Sequence, residues 1–447
     1  MNRNLIAVAI TFIGVAVTAI GCSDDERAGD GAVADTLTPD ATDIAEVSDG
    51  DIGPEEGIDS IDGDSAAPID AIDTLDPIDT VDTVETADAS DSDVPDGPSR
   101  GEFNVGFTSD SVTYEPADGS GPRTLRVVYW YPTRAMTGDS VLYAGLLPAP
   151  GVLGGAAPVT DRGTLPVVIF SHGNTSFAEQ SFFFTEFLAS HGYLVVAMDH
   201  TGNTFGGEQD IRIFHWRPMD ISAVIDHIQA LSQDAPLAPL VGDAIAVSGH
   251  SFGGYTTLAA GGARWDVDLI LAYCVDNEIP LDGCSSIVDN EAIYRGSFLD
   301  PRIDALIPMA PGATFTFGAS GIEQITLPTL LVTAGLDQTT TEVDDGDPTW
   351  AQLAHVSSDN LRIDFATGGH FTFSDACSLP LGIGDTDGCG PANLPAAAAH
   401  EAVNAYALAF LDRHLRGVES NSALLDGTLR IEPDVTFSHG NGPAGPE

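Results

Sequence analysis

The apolar positions after residue 100 fall into short continuous runs, and each run is followed by a polar or glycine-rich segment. An uninterrupted apolar run of about four to eight residues is typical of a strand that is buried on both faces. A strand with one solvated face alternates instead between apolar and polar residues. The predicted strands are 124–131, 166–170, 193–198, 244–247, 304–309, 327–333 and 361–365.

Helical periodicity appears between these runs. Residues 219–231 place Ile221, Val224 and Ile228 on one face, at the spacing that predicts an amphipathic helix. Strands that alternate with helices predict an α/β fold with a mostly parallel central sheet and helices on both faces. In such a sheet the functional side chains lie at the carboxyl ends of the strands. Further helices are predicted at 178–190, 255–262, 350–356 and 397–415. The segment 141–162 is rich in glycine, proline and alanine and is predicted to be a loop.

The first 22 residues have the pattern of an export signal. A positive charge at Arg3 is followed by an apolar run from Leu5 to Ile20, shorter than the about 20 residues of a membrane-spanning helix. The run ends in AIGC, which resembles a bacterial lipobox, in which Cys22 would be acylated and become the new N-terminus. This resemblance implies a Gram-negative lipoprotein at the outer membrane or cell surface, or in the periplasm. An ordinary signal peptide cut near the same place is the alternative.

Residues 23–100 contain no aromatic residue, and acidic residues far outnumber arginines there. Such a segment buries too little apolar surface to offset its ordering entropy, so it predicts a disordered acidic linker. From Asp70 to Asp91 an acidic residue recurs at every third position, which matches neither a helix nor a strand. A solvated spacer explains this tract best, and a weak cation-binding tract is the alternative. We expect residues 101–447 to form one folded domain.

The net charge of the chain excludes some classes of function. The chain of 447 residues carries 67 acidic and 16 basic residues, for a formal net charge of −51, and every basic residue is an arginine. Nucleic-acid binding requires clustered cations that contact phosphates. The composition therefore argues against a nucleic-acid partner.

A glycine-rich hexapeptide, 249–254 (GHSFGG), lies between the predicted strand 244–247 and the predicted helix 255–262. Strand, sharp turn and helix form the context in which a G-x-S-x-G motif exposes a serine hydroxyl above a sheet. The N–H of Phe252 then points to where a negatively charged oxygen forms at a reacting carbonyl. The pattern predicts Ser251 as a nucleophile, and an ordinary glycine-rich turn is the alternative.

A serine nucleophile needs a base, and the base needs an acid that fixes its tautomer. In hydrolases with this turn the order along the chain is serine, acid, histidine. His370 follows the last predicted strand in a glycine loop and is the candidate base, whereas His355 lies in a predicted helix. Asp337 ends the segment TAGLD after strand 327–333 and is the candidate acid. The acids 344, 345 and 347 lie in a polar stretch and are expected to be solvated.

The second donor to the oxyanion is expected from the loop after strand 166–170. This loop reads SHGN, and the N–H of Asn174 is the candidate. His172 precedes the nucleophile and is interpreted as a structural residue that fixes this loop. His250, inside the serine turn, is also interpreted as structural.

Several motifs together resemble the platelet-activating factor acetylhydrolases and the related bacterial dienelactone-hydrolase-like group. They are FSHG at 170–173, ASHGY at 189–193, RPMDI at 217–221, GHSFGG at 249–254 and GHF at 369–371. The resemblance spans most of residues 101–416 and implies an α/β-hydrolase fold and a carboxyl-ester substrate. The plasma acetylhydrolases carry their acid after an earlier strand, where this chain has Pro311 and Gly312. The phospholipid substrate of that group is therefore not carried over.

With Cys22 acylated, four cysteines remain, and four allow three pairings. Export favours disulfides. The simplest pairing is local, Cys274 with Cys284 and Cys377 with Cys389, which would brace an insertion at 275–299 and the segment after His370. That insertion is a candidate cap over the site. The spacing does not favour a metal site.

These patterns predict an exported serine ester hydrolase that forms an acyl-enzyme on short- to medium-chain esters, and that needs no cofactor or metal. Its expected partners are a small-molecule or lipid ester and, through Cys22, a membrane; the chain is expected to be a monomer. A lipase or polyester depolymerase with the same residues is one alternative, and a peptidase is another. A non-catalytic surface binding module built on a hydrolase fold is a third alternative, from a different class.

Overall fold

The computed structural model describes residues 100–207, 209–276, 278–279, 281–379 and 382–442. The predicted signal peptide 1–22, its Cys22 and the linker as far as residue 99 lie outside the described residues and stay predictions. Within the described part, no helix combines the length and the hydropathy that a membrane crossing requires.

A ten-stranded sheet forms the centre of the described fold, in the order β5-β1-β2-β7-β6-β8-β9-β10-β11-β12. The six strands from β7 to β11 in this order are parallel. β2 is antiparallel to both β7 and β1, β12 is antiparallel to β11, and β5 is parallel to β1. A further pair, β3 and β4, forms a separate small hairpin. The strands are β1 Asn104–Tyr114, β2 Arg123–Thr133, β3 Leu142–Tyr143, β4 Leu147–Pro148, β5 Val152–Gly154, β6 Leu165–Ser171, β7 Leu194–Met198, β8 Val241–His250, β9 Ile303–Met309, β10 Leu330–Ala334, β11 Leu361–Phe365 and β12 Val435–His439.

The continuous apolar strands divide their side chains between two cores. In β6, Val167 and Ile169 face one core while Val168 and Phe170 face the other, as the twofold periodicity of a strand requires. Helices α2 and α3 pack on the first face, and helices α1 and α8 pack on the second. The α-helices are α1 Phe182–Ser190, α2 Ile213–Gln229, α3 Phe252–Ala260, α4 Val267–Val275, α5 Leu281–Asp289, α6 Glu291–Tyr294, α7 Asp347–Leu353, α8 Ala396–Arg416 and α9 Ser422–Leu425.

Two predicted boundaries were wrong for physical reasons. Helix α2 begins six residues before the predicted start at Met219 and contains Pro218 in its second turn. The N–H that Pro218 lacks would have donated to the Phe214 carbonyl, and that carbonyl instead accepts the Tyr255 hydroxyl at 2.7 Å. The segment 141–162, predicted as a loop, contains β3, β4 and β5, which are too short for a periodic signal.

The structure contains both locally paired disulfides. Cys274 and Cys284 have Cα atoms 5.7 Å apart, and those of Cys377 and Cys389 are 5.1 Å apart. The insertion that follows Cys274 packs through Tyr294 against α2, where the Tyr294 hydroxyl lies 2.9 Å from His215 Nδ1. The second disulfide closes the segment after His370, as expected from the sequence.

A cavity substitution tests the two-faced core. Ile169 is fully buried at the centre of β6, so Ile169→Ala should lower the free energy of unfolding by about 2–5 kcal/mol, from lost transfer energy and the cavity left behind. The same change at Ile383, which is 37% exposed, should cost less than about 0.5 kcal/mol. Urea denaturation of the two variants measures the difference, and equal losses would contradict the described burial.

Candidate active site

Ser251 lies at the junction of β8 and α3 in a strained backbone conformation, with φ of 58° and ψ of −120°. Positive φ is costly for a residue with a Cβ atom. Two glycines make the turn possible, because a Cβ at Gly253 would lie 1.9 Å from the Ser171 carbonyl oxygen and one at Gly249 would lie 2.4 Å from that of Gly253. The Ser251 N–H donates to the Met309 carbonyl at 2.9 Å, which ties the turn to the end of β9.

The structure brings Ser251, His370 and Asp337 into one hydrogen-bonded chain. His370 Nε2 lies 2.9 Å from Ser251 Oγ, and His370 Nδ1 lies 2.9 Å from Asp337 Oδ2. The carboxylate can only accept, so Nδ1 carries the proton and the Nε2 lone pair faces the serine hydroxyl. His370 and Asp337 are 2% and 6% exposed. The arrangement has the geometry needed for proton transfer from Ser251 to the imidazole.

Electrostatics favour the charged pair within this chain. Burial lowers the pKa of His370, but the charge and hydrogen bond of Asp337 outweigh burial and raise that pKa above its usual 6.5. Burial raises the pKa of Asp337, and the attraction of His370 and the hydrogen bonds from Thr340 more than offset this, so the pKa lies below 3.8. An imidazolium formed at His370 is therefore stabilised where it stands.

Asp337 is oriented by the threonines that follow it, which the sequence interpretation did not identify. The N–H groups of Thr339 and Thr340 donate to Asp337 Oδ1 at 2.8 and 2.6 Å. The Thr340 hydroxyl donates to Oδ2 at 2.7 Å. Because Asp-x-Thr segments commonly form such turns, the run 339–341 (TTT) after Asp337 was the available signal.

The loop after β6 lies beside the nucleophile. A Cβ at Gly173 would lie 3.4 Å from the Ser251 Cβ. His172 Nε2 accepts the His200 N–H at 3.1 Å, so its Nδ1 carries the proton and donates to the Gly173 carbonyl at 2.7 Å. That bond fixes the peptide unit whose N–H belongs to Asn174. The role of the Asn174 N–H as an oxyanion donor stays a prediction.

Phe252 is the first residue of α3, so its N–H has no acceptor within the helix. The positive end of the helix dipole lies at the same place, which favours a negative charge beside Ser251. The role of the Phe252 N–H as an oxyanion donor stays a prediction.

A buried network around Arg217 supports the loop after β6, and its members were missed as a group. Arg217 is fully buried, donates to the His172 carbonyl, and lies 2.5 Å from Asn203 Oδ1 and 2.9 Å from Thr256 Oγ1. Burial lowers its pKa to about 9. The available signal was a charge at position 217 on the apolar stripe of α2, four residues before Ile221.

A second chain of serine, histidine and aspartate lies inside this network. His200 Nε2 is 2.9 Å from Ser171 Oγ, and His200 Nδ1 is 2.8 Å from Asp220 Oδ2. All three residues are fully buried, and Asp220 also accepts two hydrogen bonds from Arg123 at 2.7 and 2.8 Å. Buried ionic groups of this kind need complete hydrogen bonding, which the chain provides. No substrate reaches a fully buried serine, so the chain is a structural support.

His250 joins the loop after β6 to the base. Gln180 accepts the Gly173 N–H at 2.6 Å and donates through Nε2 to His250 Nδ1 at 2.7 Å. His250 Nε2 then donates to the His370 carbonyl at 2.8 Å. Burial, together with the charge of His370, lowers the pKa of His250 to about 3, which keeps the ring neutral. The interpretation of His250 as structural agrees with these contacts.

One expectation about the acids after Asp337 was wrong. Asp345 is only partly exposed, and its Oδ1 accepts the Thr314 hydroxyl at 2.6 Å and the Thr314 N–H at 3.2 Å. Burial raises its pKa to about 6. Asp347 is exposed and pairs with Arg362 at 2.7 Å, as a surface acid does.

Comparison with known proteins establishes the fold. Residues 164–272 match the family model described as serine aminopeptidase, S33. The solved structure of a ferulic acid esterase from Streptomyces cinnamoneus aligns with a TM-score of 0.53 and 24% sequence identity, over 77% of this chain and 98% of that one. No protein among the curated sequences is significantly similar. Together with the ten-stranded, mostly parallel sheet, these similarities show that the chain has the α/β-hydrolase fold.

The protonation of His370 tests the described electrostatics directly. The His370 imidazole should titrate with a midpoint above pH 6.5, and Asp337→Asn should lower that midpoint because the amide carries no charge. NMR spectra of histidine-labelled protein over a pH series measure both values, and the neutral His250 ring provides a reference that does not titrate in this range. An unchanged midpoint in Asp337→Asn would contradict the pairing.

Proposed function

We propose that the chain is a serine carboxylic-ester hydrolase that forms an acyl-enzyme. The observation that carries this proposal is the hydrogen-bonded chain from Ser251 through His370 to Asp337, at the carboxyl edge of an α/β-hydrolase sheet. The order serine, acid, histidine is the order of this fold's hydrolases.

The mechanism follows from the protons on these groups. Ser251 Oγ attacks the ester carbonyl carbon while His370 Nε2 takes the hydroxyl proton, and Asp337 stabilises the imidazolium that forms. The carbonyl oxygen becomes an oxyanion and accepts from the N–H groups of Phe252 and Asn174. Each such donor contributes about 2.7–4 kcal/mol in comparable sites.

The intermediate then collapses, and His370 returns the proton to the leaving alkoxide oxygen, which departs as an alcohol. Ser251 is left as an acyl ester. Water enters, loses a proton to His370 and attacks the acyl carbon, so that the free acid leaves and Ser251 recovers its proton.

The substrate class rests on resemblance. The sequence motifs resemble the acetylhydrolase and dienelactone-hydrolase-like group, and the structural neighbour is by name an esterase. Both support an ester substrate, and the proposal extends this to esters of short to medium acyl chains. The strand-end segment at Pro311 and Gly312 carries no carboxylate, so a phospholipid substrate is not part of the proposal.

The proposal includes export and attachment to a membrane through an acylated Cys22. The two disulfides support an oxidising compartment outside the cytoplasm, because disulfides persist mainly there. An acidic linker of this length would hold the folded domain away from the lipid surface.

Substitution of the nucleophile tests the proposal. Ser251→Ala should lower the turnover of p-nitrophenyl butyrate by about 10⁴-fold or more, because no attacking oxygen remains. Ser248→Ala, whose hydroxyl only donates to the Ile307 carbonyl at 2.9 Å, is the matched control and should keep most of the activity. A fluorophosphonate probe should label the wild type once per chain and leave Ser251→Ala unlabelled. A wild-type chain without labelling would point to a non-catalytic binding module.

A peptidase is the second candidate, because the matching family model describes serine aminopeptidases. Esters should be the better substrates, with kcat/KM for p-nitrophenyl acetate or butyrate well above that for alanine or leucine p-nitroanilide. A reversed order would favour the aminopeptidase. Polyester film and long-chain esters in the same series separate the lipase and depolymerase alternatives from a small-ester hydrolase.

A further inference from the structure

A single buried side chain connects the loops that carry the proposed acid and base. Asp387 Oδ1 accepts the His370 N–H at 2.9 Å and the Gln338 N–H at 3.1 Å. Asp387 Oδ2 accepts the Thr339 hydroxyl at 2.7 Å. The residue is only 6% exposed. One carboxylate therefore contacts the backbone of the base and both residues that follow the acid.

The segment that carries Asp387, residues 382–390, is named here the brace loop. Its backbone packs directly on the base, since the Phe371 N–H donates to the Asp387 carbonyl at 2.9 Å. Gly388 has φ of 126°, and a Cβ there would lie 2.7 Å from the Thr372 nitrogen. The disulfide between Cys377 and Cys389 closes the loop. Three features therefore hold Asp387 against His370: the backbone hydrogen bond from Phe371, the close approach that Gly388 permits, and the disulfide between Cys377 and Cys389.

Strands β10 and β11 fix the loops that carry Asp337 and His370 only as far as the ends of the strands. The Leu336 N–H donates to the Gly368 carbonyl at 2.9 Å, and the residues beyond, Asp337 and His370, have left the sheet ladder. An error of about 1 Å in the position of a catalytic group can cost about 100-fold in rate. The contacts of Asp387 lie at the point where such an error would arise.

We propose that Asp387 is a positioning residue, which fixes the backbone of His370 relative to Asp337 and so holds His370 Nε2 within reach of Ser251. This rests on the proposed function. Asp387 does not touch the reacting atoms, and its effect passes through the two loops that it joins.

Two substitutions of Asp387 separate its hydrogen bonds from its negative charge. Asparagine keeps an oxygen that can accept from His370 and Gln338, and its amide can donate to the Thr339 hydroxyl, so Asp387→Asn preserves the three contacts without the charge. Asp387→Ala removes all three. Asp385 lies two residues earlier in the brace loop and is exposed, so Asp385→Asn is the matched control for loss of a carboxylate.

The charge of Asp387 should be visible in the acid limb of the pH profile of activity. The charged or titratable groups around His370 are Asp337, Asp345 and Asp387, whose negative charges raise its pKa, and His250, whose ring centroid lies 4.7 Å from that of His370. His370 acts as a base only when neutral, so activity falls as pH decreases through its pKa. Removing the charge of Asp387 should therefore move that limb to lower pH.

The experiment measures kcat, KM and the pH profile for p-nitrophenyl butyrate hydrolysis by the full chain and its three variants, with melting temperatures. Asp387→Ala should lower kcat by about 100-fold with KM changed less than about twofold. Asp387→Asn should keep at least about a third of the plateau kcat with its acid limb shifted down, and Asp385→Asn should match the wild type. A kcat of Asp387→Ala equal to that of the wild type overturns the inference, as does an Asp387→Asn that loses as much kcat as Asp387→Ala.

Crystal structures of the variants test the positioning without relying on activity. In Asp387→Ala the distance from His370 Nε2 to Ser251 Oγ should exceed about 3.5 Å, whereas Asp387→Asn should keep a hydrogen bond. If wild-type protein hydrolyses no ester, the proposed function fails, and these distances still decide the role of Asp387. A triad that stays intact in Asp387→Ala overturns the inference even if the melting temperature falls.

Discussion

The contact between Gly253 and the Ser171 carbonyl is the constraint on which the site depends. The strand that ends at His250 and the helix that begins at Phe252 meet so closely that a side chain at Gly253 would collide with the neighbouring strand. This closeness forces Ser251 to positive φ, a conformation that costs about 1–3 kcal/mol. Backbone bonds to Met309 and Gly312 offset part of the strain. The Ser251 hydroxyl is therefore held above the edge of the sheet by a tight turn rather than by a long loop.

Hydrogen bonds from buried or half-buried side chains hold the loops at this edge of the sheet. Arg217 of α2 holds the loop after β6 through the His172 carbonyl, and Gln180 holds its Gly173 N–H. His250 then links that loop to the base. Because buried polar groups are costly unless they are bonded, these networks resist rearrangement as well as stabilising the native arrangement. The loops that carry the site are therefore rigid by mutual support.

The sequence predicted those parts of the fold that depend on local pattern. Strand 361–365 was predicted at its observed bounds, and the motif around Ser251 predicted the turn, because both are recorded in consecutive residues. Strand β1 was not predicted, since its second half, from Thr108 to Thr113, is mostly polar and forms a solvated hairpin with β2. Ser251, Asp337 and His370 were singled out by their positions after strands. Arg217 gave only the weak signal of a charge on an apolar helix face. Asp387 and Gln180 gave none, because folding alone brings them to their partners His370 and His250.

The outer strands of the sheet affect how two copies of the folded domain would meet. The terminal strands β5 and β12 are three and five residues long, and β1 beyond β5 presents serine, threonine and Asp110 to its open side. Long apolar edges invite a neighbouring copy to add its own strand, whereas short or charged ones do not. Two copies of the folded domain would thus meet through acidic, mutually repelling surfaces rather than through open hydrogen-bonding ladders, which disfavours aggregation.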